Sequence, residues 1–343
     1  MSGVLPTTPA GPCSLERLRF RIYGGGGRLR VLITGGAGFI GSNLVRRLLS
    51  EGHDPVILDD FSTGLAANLV DLDVRVFQGT LADHATLLAS ARDSEAIVHL
   101  GARGSVPRSI ADPLATHVAN ATGTLNVLEV ARQTGAYVVF SSSSSVYGAN
   151  PLLPKTERTW TQPMSPYAAS KLAGEGYLMA YRESYGLSAL ALRFFNVFGP
   201  WQRPDHDYAA VVPKWLHRAL LGEVIEIHGD GLQTRDFTFV ESVVDVLADA
   251  LQRRISLDTP VNLAFGRPRS LLQVVEDMER LLGLPLRTRH LPSRIGDVHA
   301  SENDPGLLLS TFPSVQPTEF TAGLAKTAEW LQAPRSIGVM AGN

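Results

Sequence analysis

Two side chains four residues apart have the types needed for proton chemistry: Tyr167 and Lys171, in the segment Ser165-Pro166-Tyr167-Ala168-Ala169-Ser170-Lys171. On a helix that spacing sets both on one face. A phenol ordinarily ionises near ~10, too high for a base at neutral pH. A neighbouring ammonium stabilises the phenolate and lowers that value. Upstream, the serine run Ser141 to Ser145 precedes Val146-Tyr147-Gly148. A hydroxyl from that run could bond both a substrate hydroxyl and the tyrosine oxygen. Hydroxyl, phenol and ammonium together suit oxidation of a carbinol with removal of its proton. A Tyr-x-x-x-Lys spacing alone is common by chance, with an exposed helix pair as the ordinary alternative, so the elements around it must decide.

Those elements alternate. Short apolar, β-branched runs predict strands at Arg30–Thr34, Pro55–Leu58, Val74–Phe77, Ala96–Leu100, Tyr137–Ser141 and Ala189–Phe194. Helical spacing predicts helices at Phe39–Leu49, Leu114–Gln133 and Tyr167–Tyr185, the last with Ser165 as N-cap and Pro166 in its first turn. Such alternation implies an α/β fold: a Rossmann-type doubly wound parallel sheet, covered on both faces. The serines then fall at the carboxyl end of a strand, where ligands bind in such sheets. Beyond about residue 196 the alternation loosens, with helices predicted at Ala209–Leu221, Glu241–Arg253, Leu271–Leu282 and Thr318–Leu331. The expected organisation is a tail at 1–28, a nucleotide-binding domain at 29–195 to which some later segments return, a smaller C-terminal substrate-binding lobe at 196–333, and a tail at 334–343. The glycine- and proline-rich leader reads as flexible.

Between the first strand and helix stands Thr34-Gly35-Gly36-Ala37-Gly38-Phe39-Ile40-Gly41. Glycines at 35, 38 and 41 let backbone N–H groups approach a pyrophosphate at the helix N-terminus. Asp59 ends the next strand, placed to bond adenosine ribose hydroxyls and to repel a 2′-phosphate, so NAD is expected over NADP. The positive nicotinamide ring would further lower the Tyr167 pKa.

Bulk properties agree with a small-molecule enzyme. The 343 residues are 44% hydrophobic and carry a formal charge of −2, against nucleic acid or an anionic membrane as the main partner. No apolar run reaches bilayer length. The lone Cys13 forms no intrachain disulfide, so a cytoplasmic location is expected. His206, His217, His228 and His290 lack metal-ligand spacing, and no metal is expected.

These motifs, in this order, resemble the extended short-chain dehydrogenases, and more narrowly the UDP-sugar 4-epimerases of the NAD-dependent epimerase/dehydratase family, over about residues 30–333. Supporting segments are Asp59-Asp60-Phe61-Ser62-Thr63-Gly64, His99-Leu100-Gly101-Ala102, Asn120 with Gly123-Thr124-Leu125-Asn126, the run Leu192 to Pro200, and Arg235-Asp236-Phe237. The resemblance implies a catalytic set of Ser143, Tyr167 and Lys171. For NAD it implies Gly35, Gly38, Phe39, Ile40, Gly41, Asp59, Asp60, Ser62, Thr63, Gly64, Thr80, Leu81, Leu100, Gly101, Ala102, Asn120 and Phe194, besides Tyr167 and Lys171. For the substrate it implies Ser105, Val106, Ser143 and Ser144 near the sugar, and Asn196, Arg235 and Arg294 on the diphosphate. Asp297 falls near the uridine ribose, Val212 and Trp215 around the uracil, and Ser301 in the sugar pocket. It also implies a homodimer in which the helices at 114–133 and 167–185 form a four-helix bundle. Three departures are visible: Thr80 stands where an acid is common near adenine, with Asp83 the next one available; Gly101 stands where alanine is usual; and Arg103 follows close to the nicotinamide side.

Within the family, dehydratases and decarboxylases carry carboxylates where this chain has Ser144 and Ser145, so both lose an expected proton carrier. The small Ser301, where glucose-only epimerases resemble one another in carrying tyrosine, leaves room for an N-acetyl group. The segments Gly104 to Ser109 and Tyr208 to Trp215 also resemble epimerases of N-acetylated sugars. The expectation is therefore interconversion of UDP-N-acetylglucosamine and UDP-N-acetylgalactosamine, with the UDP-glucose/UDP-galactose pair as a slower reaction. The alternatives are a nucleotide-sugar dehydratase or dehydrogenase, and a non-catalytic NAD-binding sensor.

Overall fold

A computed structural model describes residues 27–205, 209–293 and 300–333. The expected leader before residue 27 and the tail from 334 lie outside the described residues. Six strands precede residue 196: β1 (Arg30–Thr34), β2 (Asp54–Asp59), β3 (Arg75–Gln78), β4 (Ala96–His99), β5 (Tyr137–Ser143) and β6 (Ala189–Phe194). With Val261–Leu263 they form one seven-stranded sheet, ordered Val261–Leu263, β6, β5, β4, β1, β2, β3. Every pairing in it is parallel; Val31, for example, stands opposite Pro55 on β2 and Ala96 on β4.

Strand periodicity divides the core between the two faces. On β1, Val31 and Ile33 join one apolar cluster and Leu32 joins the other; on β5, Tyr137 and Val139 oppose Val138 and Phe140. Order reverses between β1 and β4, which run to helices on opposite sides, and the crevice at that switch point is where a dinucleotide lies in such sheets. Later segments lie on this sheet as well: Val261–Leu263 extends its edge, and the helix Val240–Arg253 packs against Phe39–Ser50. Three small sheets, among them Thr234–Asp236 between Pro268–Ser270 and Ala300–Ser301, build the rest of the second half.

One helix departs from its expected form. The predicted run at 114–133 is Pro113–His117, a π-turn at Val118–Thr122, then Gly123–Thr134. The wide turn sits at Asn120, whose side chain leaves the helix to accept the Arg103 N–H at 2.8 Å and to donate to Ser170 Oγ at 2.9 Å. π-turns of this kind are common beside functional sites. Two short helices, His84–Ser90 and Val106–Ala111, were not anticipated. Asp83 caps the first of them, accepting from the Ala85 and Thr86 N–H groups, so its carboxylate is engaged at a helix end.

Candidate active site

The helix Phe39–Ser50 begins at Gly38 with no side-chain cap, so its first-turn N–H groups face the crevice. Gly35 has φ +71°, and a Cβ there would meet the Gly101 backbone at 2.8 Å. At Gly41 a Cβ would lie 2.3 Å from Gly35 O. No residue but glycine fits either position, and the bare helix end that results suits a pyrophosphate. Two adjoining hollows share Gly35, Gly38, Leu100 and Ala102 as walls, so they form one continuous cleft along the carboxyl ends of the strands. The first is lined by Asp59, Asp60, Ser62, Thr63, Gly64, Thr80, Leu81 and Gly101; the second by Phe39, Ile40, Gly41, Ser143, Tyr167, Lys171, Phe194 and Asn196. Asn120 is the one expected cofactor residue off these walls: it is 2% exposed and ties Arg103 to Ser170 behind them.

Asp59 is buried, and burial pushes its carboxyl above the usual range; the N–H groups of Phe61 and Ala37, each at 2.9 Å, pull the other way. Part of its accepting capacity thus fixes the glycine turn itself. At the other end of the cleft, Ser165 caps the helix Pro166–Tyr185, with Pro166 in its first turn. Tyr167 and Lys171 both face the second hollow. Lys171 is 4% exposed and donates to Ser141 O at 2.7 Å. Burial lowers its pKa to about 8, against an opposing pull from Glu175. Burial pushes the Tyr167 phenol up, and the hydrogen bond with Ser143 brings it partly down. The lowered phenol expected from the sequence is therefore not a property of the protein alone: Lys171 is spent on the Ser141 carbonyl, and the remaining lowering needs a second positive charge in the cleft.

Behind the cleft lies a buried polar cluster that the sequence reading missed. Glu175, one turn beyond Lys171, pairs through both oxygens with Arg193 at 2.9 and 2.7 Å and accepts from Ser142. Arg193 also donates to Tyr147 Oη at 2.7 Å, and Tyr147 Oη donates to Asn262 Oδ1 at 2.7 Å. The signal was present: Tyr167, Lys171 and Glu175 recur every four residues on one helix face. His99 bonds Thr34 and Thr124, and burial, reinforced by the Lys171 charge, pushes its pKa down to about 3, so it is a neutral strut.

The expected substrate residues divide. Asn196 lines the cleft, donating to Asp236 O at 3.1 Å. Ser105 lines an adjoining hollow with Arg108, Trp201, Gln202 and Arg203, while Val106 points outward, 39% exposed. Ser144 stands in the 3-10 turn after β5. Ser301 is in register with Arg235 across adjacent parallel strands. Val212 and Trp215 do not fall on the cleft wall: at 1% and 4% exposed they form, with Leu216 and Ala219, the inner stripe of the helix Val211–Leu220 and pack in the core. Arg294 and Asp297 lie outside the described residues, as do His206 and Tyr208.

The family profile for the NAD dependent epimerase/dehydratase family matches residues 31–264. The chain belongs to this family. Its cofactor is NAD, which the bare helix end and the glycine cradle fit. A UDP-glucose 4-epimerase of Mycolicibacterium smegmatis is 37% identical over 89% of this chain and 99% of its own length. Among solved structures, the UDP-N-acetylglucosamine 4-epimerase of Methanobrevibacter ruminantium, in complex with UDP-N-acetylmuramic acid, superposes with TM-score 0.83 at 35% identity, covering 89% of this chain and 98% of that one. The Thermus thermophilus UDP-glucose 4-epimerase in complex with NAD gives TM-score 0.81 at 35% identity, over 89% and 100%. The same comparisons reach sugar dehydratases and UDP-glucuronic acid decarboxylases.

Proposed function

We propose that this enzyme interconverts the C4 epimers of a UDP-sugar, UDP-N-acetylglucosamine and UDP-N-acetylgalactosamine first, with the UDP-glucose/UDP-galactose pair slower. One observation carries the reading. Among the described residues lining the hollow around Tyr167 and Lys171 there is no Asp or Glu. Water elimination and decarboxylation each call for a further proton carrier at the sugar; epimerisation calls for one base. Tyr167 takes the 4-hydroxyl proton and later returns it, with Ser143 donating to the same region and Lys171 holding the helix face positive. NAD, when bound, supplies the hydride acceptor at C4 and gives the hydride back. Asn196 and Arg235 hold the diphosphate while the keto sugar turns over within the cleft, and Arg294 and Asp297 remain the proposed uridine contacts. The product of incubation with UDP-N-acetylglucosamine, read for mass and C4 configuration, tests this: an unchanged mass with inverted C4 is expected, and loss of water or carbon dioxide from any UDP-sugar overturns it.

Ser301, in register with Arg235, is the proposed small residue of the sugar pocket. Ser301→Tyr is expected to cut kcat/KM for the N-acetylated pair by about 10-fold or more and to spare the glucose pair, a discrimination within reach of one pocket contact. Competing assays on the two pairs check it; equal losses on both would remove Ser301 from the pocket.

A homodimer is part of the same proposal. Leu114, Ile110, Val118 and Tyr177 are 79%, 65%, 47% and 40% exposed on the adjoining helices at 106–122 and 166–185. Such an apolar patch marks an interaction face, and a second copy would cover it. Light scattering should give twice the chain mass, and Leu114→Glu should halve it. No described helix is long and apolar enough to cross a membrane; with the lone Cys13, the cytoplasm is the proposed compartment.

A further inference from the structure

The Ser143 hydroxyl accepts from two groups of one residue. The backbone N–H of Ser145 donates to Ser143 Oγ at 3.2 Å, and the Ser145 hydroxyl donates to the same oxygen at 2.8 Å. A hydroxyl has two lone pairs and one hydrogen. With both lone pairs taken, Ser143 has only its hydrogen left to offer. Ser143 and Tyr167 line the same hollow, so what Ser143 can present to the phenol oxygen there is its hydrogen. We propose that Ser145 is a positioning residue that locks Ser143 into the donor role toward Tyr167. This deepens the functional reading above and rests on its assignment of Tyr167 as the proton acceptor.

The donor role matters because a donor to Tyr167 favours the phenolate, whereas an acceptor from Tyr167 would favour the neutral phenol. It also leaves Ser143 unable to accept the 4-hydroxyl proton, so that proton has Tyr167 as its only destination in this pair. The lock is built by the backbone. Ser143 is the N-cap of the 3-10 turn Ser144–Tyr147, and its oxygen takes the Ser145 N–H, which the turn leaves unpaired. Gly148, at φ +48°, closes the turn, and Tyr147 Oη anchors it by donating to Asn262 Oδ1 at 2.7 Å. A glutamate at position 145 would bring a proton acceptor to this place; serine brings a donor.

The charged and titratable groups on and around the Tyr167 helix include Lys171, Glu175, Tyr177, Tyr181, Arg182, Glu183 and Tyr185 on the helix itself, Glu129 on the helix Gly123–Thr134, Arg193 on β6, His99 on β4 and Arg103 in the loop after it. Ser145→Ala leaves all of them in place. The test uses the full chain with NAD bound. Ionisation of Tyr167 is followed by tyrosinate absorbance as pH rises, each curve corrected by the matching protein with Tyr167→Phe. Ser145→Ala is expected to raise the midpoint by roughly half to one pH unit, the size of one ordinary hydrogen bond. Ser145→Thr should restore it, and the acid limb of kcat should follow with KM unmoved. An unchanged midpoint in Ser145→Ala overturns the proposal, and so does a change confined to KM. If Ser145→Ala does not fold, Ser145→Cys replaces it: the weaker thiol donor should give a smaller rise, and no rise overturns the proposal. The titration needs no turnover. A protein that epimerises no sugar would defeat the functional reading while this measurement still decides the role of Ser145.

Discussion

Tyr167→Phe is expected to lower kcat by about 10²- to 10⁴-fold, the range that a positioned acid or base supplies, while the protein keeps its NAD. The two halves of that result come from different parts of the fold. NAD is held by the turn at Gly35 to Gly41 and by the wall from Asp59 to Gly64, and the phenol oxygen adds one contact at the far end of the cleft. The chemistry has no substitute for that oxygen, because Ser143 is held as a donor and no Asp or Glu among the described residues lines the hollow. The pH profile should show the same division. Burial pushes the Tyr167 phenol up in the protein alone, so the ionised form needs both Lys171 and the cofactor's positive charge. Lys171→Met should therefore raise the acid limb of kcat. Full activity in Tyr167→Phe would end the epimerase reading, and unaltered NAD binding without any turnover in the wild type would favour the sensor.

The nucleotide half of this site was legible in the sequence because its constraints are local. Gly35 and Gly41 are glycine for reasons of backbone approach within one turn, and β1 and β6 run over the very residues that apolar β-branched character indicated. The helix at 166–185 announces itself by its cap and proline. What stayed hidden depends on which face an element turns toward what. Val212 and Trp215 fit a pocket wall and a core stripe equally well by spacing, and packing against the second-half core decides for the core. The π-turn at Val118–Thr122 arises from the reach of Asn120 to Arg103 and Ser170, one of them 50 residues away. Glu175 had the right spacing, but its partner Arg193 lies on another element, and only the fold brings the two together.

That pair carries the second large effect. Glu175 and Arg193 are 6% and 5% exposed by side chain. Glu175→Leu removes the acceptor for two guanidinium bonds and for the Ser142 hydroxyl. Breaking a buried pair from one side costs about 3–5 kcal/mol, because a charge is left behind in low dielectric. For a domain of this size the melting temperature should fall by roughly 5–10 °C. Glu175→Leu combined with Arg193→Met should recover much of that loss, since the cost lies in the orphaned charge and not in the absence of the pair. Activity adds a signature that stability alone does not give. The Glu175 charge opposes the burial that lowers Lys171 to about 8. Without it the Lys171 pKa falls further, and the ammonium survives only at lower pH. The double variant, though folded, should lose activity on the alkaline side before the wild type does. A double variant that regains stability and keeps the wild-type alkaline limb would mean that Glu175 serves Arg193 alone.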